Sequence, residues 1–138
     1  ATDHAPHTLE EKERPYASAP SGGPLVQHSL PMMLELSAQG VSPVETVVEK
    51  MCHAPARLFG VRDRGFLRTG HFADIVLVRP ADPWTVSKEN ILYKCGWSPL
   101  EGTAFSHRVV RTLVNGRTVY ADGRVDTAHR GAELEFDR

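Results

Sequence analysis

Three scarcities in this 138-residue chain each exclude a class of protein. Cysteine is scarce: Cys52 and Cys95 are the only two. They are too few to staple a domain of this size and form no C-x-x-C pair, so a reducing, cytoplasmic setting is expected. Excess charge of one sign is lacking too, since 16 basic side chains stand against 17 acidic ones for a formal net charge of −1. With no basic run there is no electrostatic footprint for a phosphate backbone or an anionic membrane surface, so neither nucleic acid nor membrane is an expected partner. Long apolar runs are also missing. Stretches such as Ile75 to Val78 fall far short of the roughly 20 residues needed to cross a bilayer, and no basic-then-apolar leader opens the chain. Without repeats or low-complexity tracts, one soluble globular domain is the starting expectation.

What is present is concentrated at the beginning. Ala1-Thr2-Asp3-His4-Ala5-Pro6-His7 is the segment richest in chemically capable side chains, with almost nothing before it to hold it in place. Ala1 is not an initiator Met, and the chain reads as part of something larger. If Asp3 ends a strand, most of that strand lies outside the chain. Seven histidines is a high count, but only His4 and His7 are suggestively placed. Their i, i+3 spacing across Pro6 fits neither the i, i+4 pair of a chelating helix nor an H-x-H strand, so as a metal signal it is weak. His28, His53, His71, His107 and His129 are expected to be ordinary hydrogen-bonded residues.

Thr8 to Pro24 is charged and then rich in Pro, Ser and Gly, which predicts a long loop. Loops of that length in a compact domain are usually functional or disordered, and this one directly follows the histidine segment. Between Leu25 and Gln39, Leu30, Met33, Leu34 and Ser37 recur at helical spacing, with Pro31 tolerable in a first turn and Gly40 as terminator. Ser42-Pro43-Val44-Glu45 reads as a capping box opening a helix whose apolar stripe is Val44, Val47, Val48, Met51 and Cys52. Pro55 is expected to end that helix near His53, and a short helix from Ala56 to Phe59 to stop at Gly60. Beyond Gly60 the period changes. Ala73 to Val78, bounded by Gly70 and Pro80, predicts a strand buried on both faces. Val109–Val114 and Thr118–Tyr120 flank Asn115-Gly116, the strongest short hairpin signal, and Asp122-Gly123 marks a further turn. Two units are expected, 1–60 and 61–138.

Asp3-His4-Ala5-Pro6-His7, followed by Glu11-Lys12 and Ala19-Pro20-Ser21-Gly22, resembles the end of the eighth barrel strand and its loop in dihydroorotases of the amidohydrolase superfamily. The likeness continues through His53 to Gly60, Ala73 to Val78, Lys94 to Gly102 and Val114-Asn115-Gly116, and so covers nearly the whole chain. It implies an α/β fold: the carboxy-terminal piece of a TIM barrel, its last strand and helices, in residues 1–60, and part of a small β-sandwich in 61–138. It implies a zinc-dependent hydrolase of pyrimidine biosynthesis that opens the cyclic amide of dihydroorotate to N-carbamoyl-aspartate.

Residue by residue, Asp3 matches the carboxylate that touches the metal and relays a proton from the attacking water to the leaving amide nitrogen. His7 matches the residue that contacts the substrate carboxylate, and Ser21 and Gly22 match the pair whose backbone helps hold the substrate. The chain departs from many relatives in having Ser21 before Gly22-Gly23-Pro24, where an aromatic residue precedes a single Gly. The family's other zinc ligands, its carboxylated lysine and its further substrate-binding residues lie upstream in relatives, so this chain alone is expected to be inactive. Two other readings compete. A hydantoinase or allantoinase would share Asp3 and Ala73 to Val76 but has no need of His7, while a metal-free dihydroorotase-like subunit would scaffold a transcarbamoylase partner. A homo-oligomer is compatible with each.

Overall fold

The computed structural model of the chain describes residues 3–137, apart from the side chains of residues 81 and 82. The predicted loop after His7 contains one helical turn, α1 (Leu9–Lys12). Thr8 caps it through a reciprocal box: the Glu11 amide donates to the Thr8 hydroxyl at 3.3 Å, and Thr8 N–H donates to the Glu11 carboxylate at 2.8 Å. That spacing was in the sequence, obscured by the Pro- and Gly-rich stretch that follows.

Helix α2 (Ser29–Ala38) follows a turn at 26–28, opens one residue before Leu30, the first residue of the apolar pattern, and buries Pro31 in its first turn, as expected. Gly40, at φ +76, ends it as expected. The Gly40 amide donates to Ser37 and that of Val41 to Leu36, both at 3.0 Å, closing a Schellman motif.

The next helix departs from expectation at both ends. Its N-cap is Pro43, extended at φ −67 and ψ 152 and without side-chain capping, so the predicted Ser42–Glu45 box gives way to a start one residue on. Nor does Pro55 stop it. Helix α3 (Val44–Val48) runs through a π-helical turn (Glu49–His53) into α4 (Ala54–Phe59), with right-handed helical backbone at His53 and Ala54. A widened turn just before Pro55 accommodates both its missing donor and its ring, which in a regular helix would strike the carbonyl one turn earlier. Gly60, left-handed at φ 62 and ψ 36, then ends the path as predicted.

The remainder is one antiparallel meander in the order β1 (Ile75–Thr85), β2 (Ala104–Val114), β3 (Arg117–Ala121) and β4 (Arg124–Val125). Both tight turns fall where predicted: Asn115-Gly116 and Asp122-Gly123 have positive φ at each residue, the conformation of type I′ hairpins. β1 runs past Pro80, with register shifts at Leu77/Val78 and Pro80/Trp84, which an edge strand tolerates because one side needs no donor. The expectation of burial on both faces fails, since Val76 and Leu77 are each 45% exposed. β1 lies at the edge of a single sheet whose helical packing partner is α2, against β2. The described residues contain this one open sheet, with neither a closed barrel nor a second sheet facing it.

The core is thin, with Val47, Ala56, Val86 and Phe105 as its buried apolar side chains. Leu58 and Phe59 on α4 remain exposed. The corner between helix and sheet is polar. Nearly buried Arg64 pairs with Asp74, donates to Asn115 Oδ1 at 2.9 Å, and lies 4.1 Å over the Phe72 ring. Asp74 in turn accepts from Asn115 N–H at 2.8 Å, tying the predicted hairpin turn to the start of β1. No helix among the described residues is long and apolar enough to cross a membrane.

Candidate functional site

The His4 to His7 stretch lies beside the Pro- and Gly-rich loop. His4 and Gly23 form a parallel bridge, and the Ala5 amide donates to the Gly23 carbonyl at 3.0 Å. Asp3 and His7 are thereby carried on one segment, and Ser21 and Gly22 on its neighbour. The predicted lead-in Ala1-Thr2 lies outside the described residues. Asp3 itself is exposed, with a left-handed backbone at φ 43 rather than a strand conformation.

Pro6 sets a tight turn in which the His7 amide donates to the Ala5 carbonyl at 2.9 Å, two residues back. The turn lifts the His7 ring to the surface, where Nδ1 is 3.7 Å from a Glu11 carboxylate oxygen. The Thr8 backbone amide, and then its hydroxyl and His7, hold the Glu11 carboxyl below its ordinary range.

Gly22 answers a local necessity. At φ +83, a Cβ on it would come within 2.7 Å of the Ala5 Cβ, so glycine is what lets the two segments touch. Ser21, next to it, is exposed.

His4 is committed elsewhere. Its Nδ1 accepts from the Leu25 amide at 3.2 Å, with the Val26 amide at 3.5 Å, so it serves as a backbone acceptor that shapes the loop. Zinc takes three protein ligands at a catalytic site. Among the described residues no three His, Cys, Asp or Glu side chains gather as a metal-holding group, so Asp3 stands without companions and these residues do not by themselves make a zinc centre.

Three contributors escaped sequence reading. The Lys12 ammonium donates to the carbonyls of Pro20 at 2.6 Å and Gly22 at 3.0 Å, fastening the loop from beneath. The Tyr93 hydroxyl accepts from the Gln27 amide at 2.8 Å, and its ring centroid lies 5.2 Å from that of His4. Trp97 Nε1 donates to the His7 carbonyl at 2.7 Å. The resemblance flagged Lys94 to Gly102 as a motif, but nothing local says that its indole reaches back 90 residues.

Of the remaining histidines, His53 stacks on Phe66 with ring centroids 4.4 Å apart, and His107 and His129 have hydrogen-bond partners. His28 is fully buried. Its Nδ1 lies 3.3 Å from Ser98 Oγ and 3.4 Å from the Tyr93 hydroxyl, its Nε2 has no partner among the described residues, and burial pushes its pKa down. A concavity of about 750 Å³ lies against the sheet and α2, lined by residues that include Leu30, Trp84, Val76, Val125 and His129. It contains none of Asp3, His7, Ser21 or Gly22.

The chain is 33% identical over 134 residues to the dihydroorotase of Pyrococcus furiosus, covering 97% of this chain and 31% of that protein. Its backbone resembles dihydropyrimidinase from Brevibacillus agri, with a TM-score of 0.81 and 27% identity over 89% of this chain and 28% of that one. It also resembles D-hydantoinase from Bacillus sp. AR9, with a TM-score of 0.80 and 28% identity over 90% and 29% of the respective chains. The chain spans about a third of the length of the curated relatives it matches. Its fold is an α/β arrangement related to the TIM-barrel enzymes of that superfamily, and residues 30–120 match the amidohydrolase family, so the chain belongs to that family.

Proposed function

We propose that this chain supplies the carboxy-terminal part of a cyclic-amide hydrolase of the dihydroorotase and hydantoinase type. In this reading residues 1–60 complete a TIM barrel and residues 61–138 belong to a small β-domain. The observation that carries it is the pairing of the His4 segment with the Gly23 loop, which brings the segment bearing Asp3 and His7 beside the one bearing Ser21 and Gly22. Hydrolysis of a cyclic amide needs a group that takes a proton from water and returns it to the leaving nitrogen. Asp3 is assigned that part. Zinc, and Asp3's contact with it, belong to the completed site of the whole protein.

Within the class, two substrates divide the support. Dihydroorotate, opened to N-carbamoyl-aspartate, is favoured by the dihydroorotase relatives and by His7, whose ring can meet a substrate carboxylate while Ser21 and Gly22 hold the rest. A neutral ring is favoured by the backbone likeness to dihydropyrimidinase and D-hydantoinase.

One comparison on the complete protein separates them: hydrolysis of dihydroorotate and of dihydrouracil by the wild type and by His7→Ala. If His7 reads the carboxylate, losing one hydrogen bond to a charged group, worth about 1.5–3 kcal/mol, should lower kcat/KM for dihydroorotate roughly 10- to 150-fold and leave dihydrouracil little changed. Equal losses on both withdraw dihydroorotate as the preferred substrate. Absence of hydrolysis of any cyclic amide by the metal-loaded wild type withdraws the class.

A further inference from the structure

The Lys94 to Gly102 segment has no part in the chemistry above, yet it reaches the junction of the two site segments. The Trp97 indole N–H is bonded to the His7 carbonyl at 2.7 Å, and the far edge of the same indole lies 3.9 Å from where a Cβ on Gly23 would stand. One half-buried side chain therefore touches the residue that presents the imidazole and the residue that bridges to His4.

The chain on either side of Trp97 is firmly held. Gly96, at φ +73, turns the chain so that its amide donates to the Tyr93 carbonyl at 3.0 Å. On the other side Ser98 is buried, its Oγ accepting from the Leu100 amide at 3.2 Å and lying beside His28 Nδ1. His7 has far fewer restraints: a turn closed by one backbone hydrogen bond, the distant Glu11 carboxylate, and Trp97.

We propose that Trp97 is a positioning residue for His7, its indole N–H fixing the Ala5-Pro6-His7 turn so that the imidazole faces an anionic group of the substrate. This rests on the reading of His7 as the carboxylate-binding side chain. Trp97 touches no substrate in this scheme. It converts a loosely closed turn into a pre-oriented one, which lowers the cost of ordering His7 on binding.

Trp97→Phe in the complete protein removes the donor and keeps an aromatic surface against Gly23. Trp97→Leu, equally without a donor, serves the same purpose should the Phe variant fail to fold. With ¹³C-labelled histidine, the His7 ring signal, assigned by its loss in His7→Gln, should shift or split in the variant while those of His107 and His129 stay in place. The KM for dihydroorotate should rise about 3- to 10-fold, the range of an ordinary hydrogen bond, with kcat and the rate on dihydrouracil within twofold of wild type. In a His7→Ala background Trp97→Phe should add nothing. An unmoved His7 signal overturns the proposal, and so does an undiminished Trp97→Phe effect in the His7→Ala background. A shifted His7 signal with unchanged kinetics on both substrates supports positioning and overturns the carboxylate role of His7.

Discussion

The Glu35 carboxylate on α2 accepts both polar hydrogens of Ser106 on β2, the hydroxyl at 2.7 Å and the backbone amide at 2.8 Å. The two residues join the helix that follows the candidate loop to the sheet, and the Ser106 hydroxyl lies 3.1 Å from His107 Nδ1. The Ser106 hydroxyl first, then its backbone amide, holds the Glu35 carboxyl below its ordinary value of 4.5. A carboxyl lowered in the folded state contributes stability that is present above its unfolded pKa and lost as pH falls through the folded one. In denaturant titrations from pH 7 to pH 3, the wild type should weaken below about pH 4.5, and Glu35→Gln should show a shallower decline over that window. Parallel curves for the two proteins would remove Glu35 from the acid response.

Asp3 is the residue whose loss should separate chemistry from binding. In the complete protein, Asp3→Asn keeps a hydrogen-bonding amide and loses the ability to carry a proton. Turnover on the favoured cyclic amide should fall about 10²- to 10⁴-fold, with KM within a few-fold of wild type. A variant with undiminished kcat would take Asp3 out of the mechanism.

Gly65 marks where the segment after α4 packs back on the π-helical turn. At φ +79, a Cβ there would lie 2.5 Å from the Ala56 Cβ and 2.9 Å from the Cys52 carbonyl oxygen. Gly65→Ala should cost about 2–4 kcal/mol, since overpacking adds to backbone strain. Gly123→Ala, at φ +84 with open space around it, carries strain alone and should cost about 1–2 kcal/mol. Chemical denaturation of both variants checks the difference, and equal losses would mean that the close approach at Gly65 relaxes freely.

Features legible in the sequence are those that neighbouring residues enforce by themselves. Asn115-Gly116 and Asp122-Gly123 become hairpin turns because those residue types tolerate positive φ. Gly40 and Gly60 end helices for the same reason, and Pro31 sits where a first turn needs no donor. The candidate residues came from resemblance alone, and nothing in the sequence says that Ala5 is what packs against Gly22.

Tertiary structure decided the rest, wherever a local rule met a distant partner. Pro55 reads as a helix terminator, yet the chain stays helical through it because a π-helical turn absorbs the proline and the stretch packs against Gly65. Pro80 reads as a strand boundary, yet β1 continues because β2 supplies pairing on one side and an edge asks for none on the other. His28 reads as a loop histidine, but it is buried among Trp84, Tyr93 and Phe105, residues 56 or more positions away. The support of the candidate site depends on the same kind of distance: Trp97 reaches His7, and Tyr93 meets Gln27 and His4, only once the sheet region has folded back on the first segment. A sequence fixes φ preferences and apolar periods between near neighbours, whereas a hydrogen bond across 90 residues exists only after chain closure brings its donor and acceptor together.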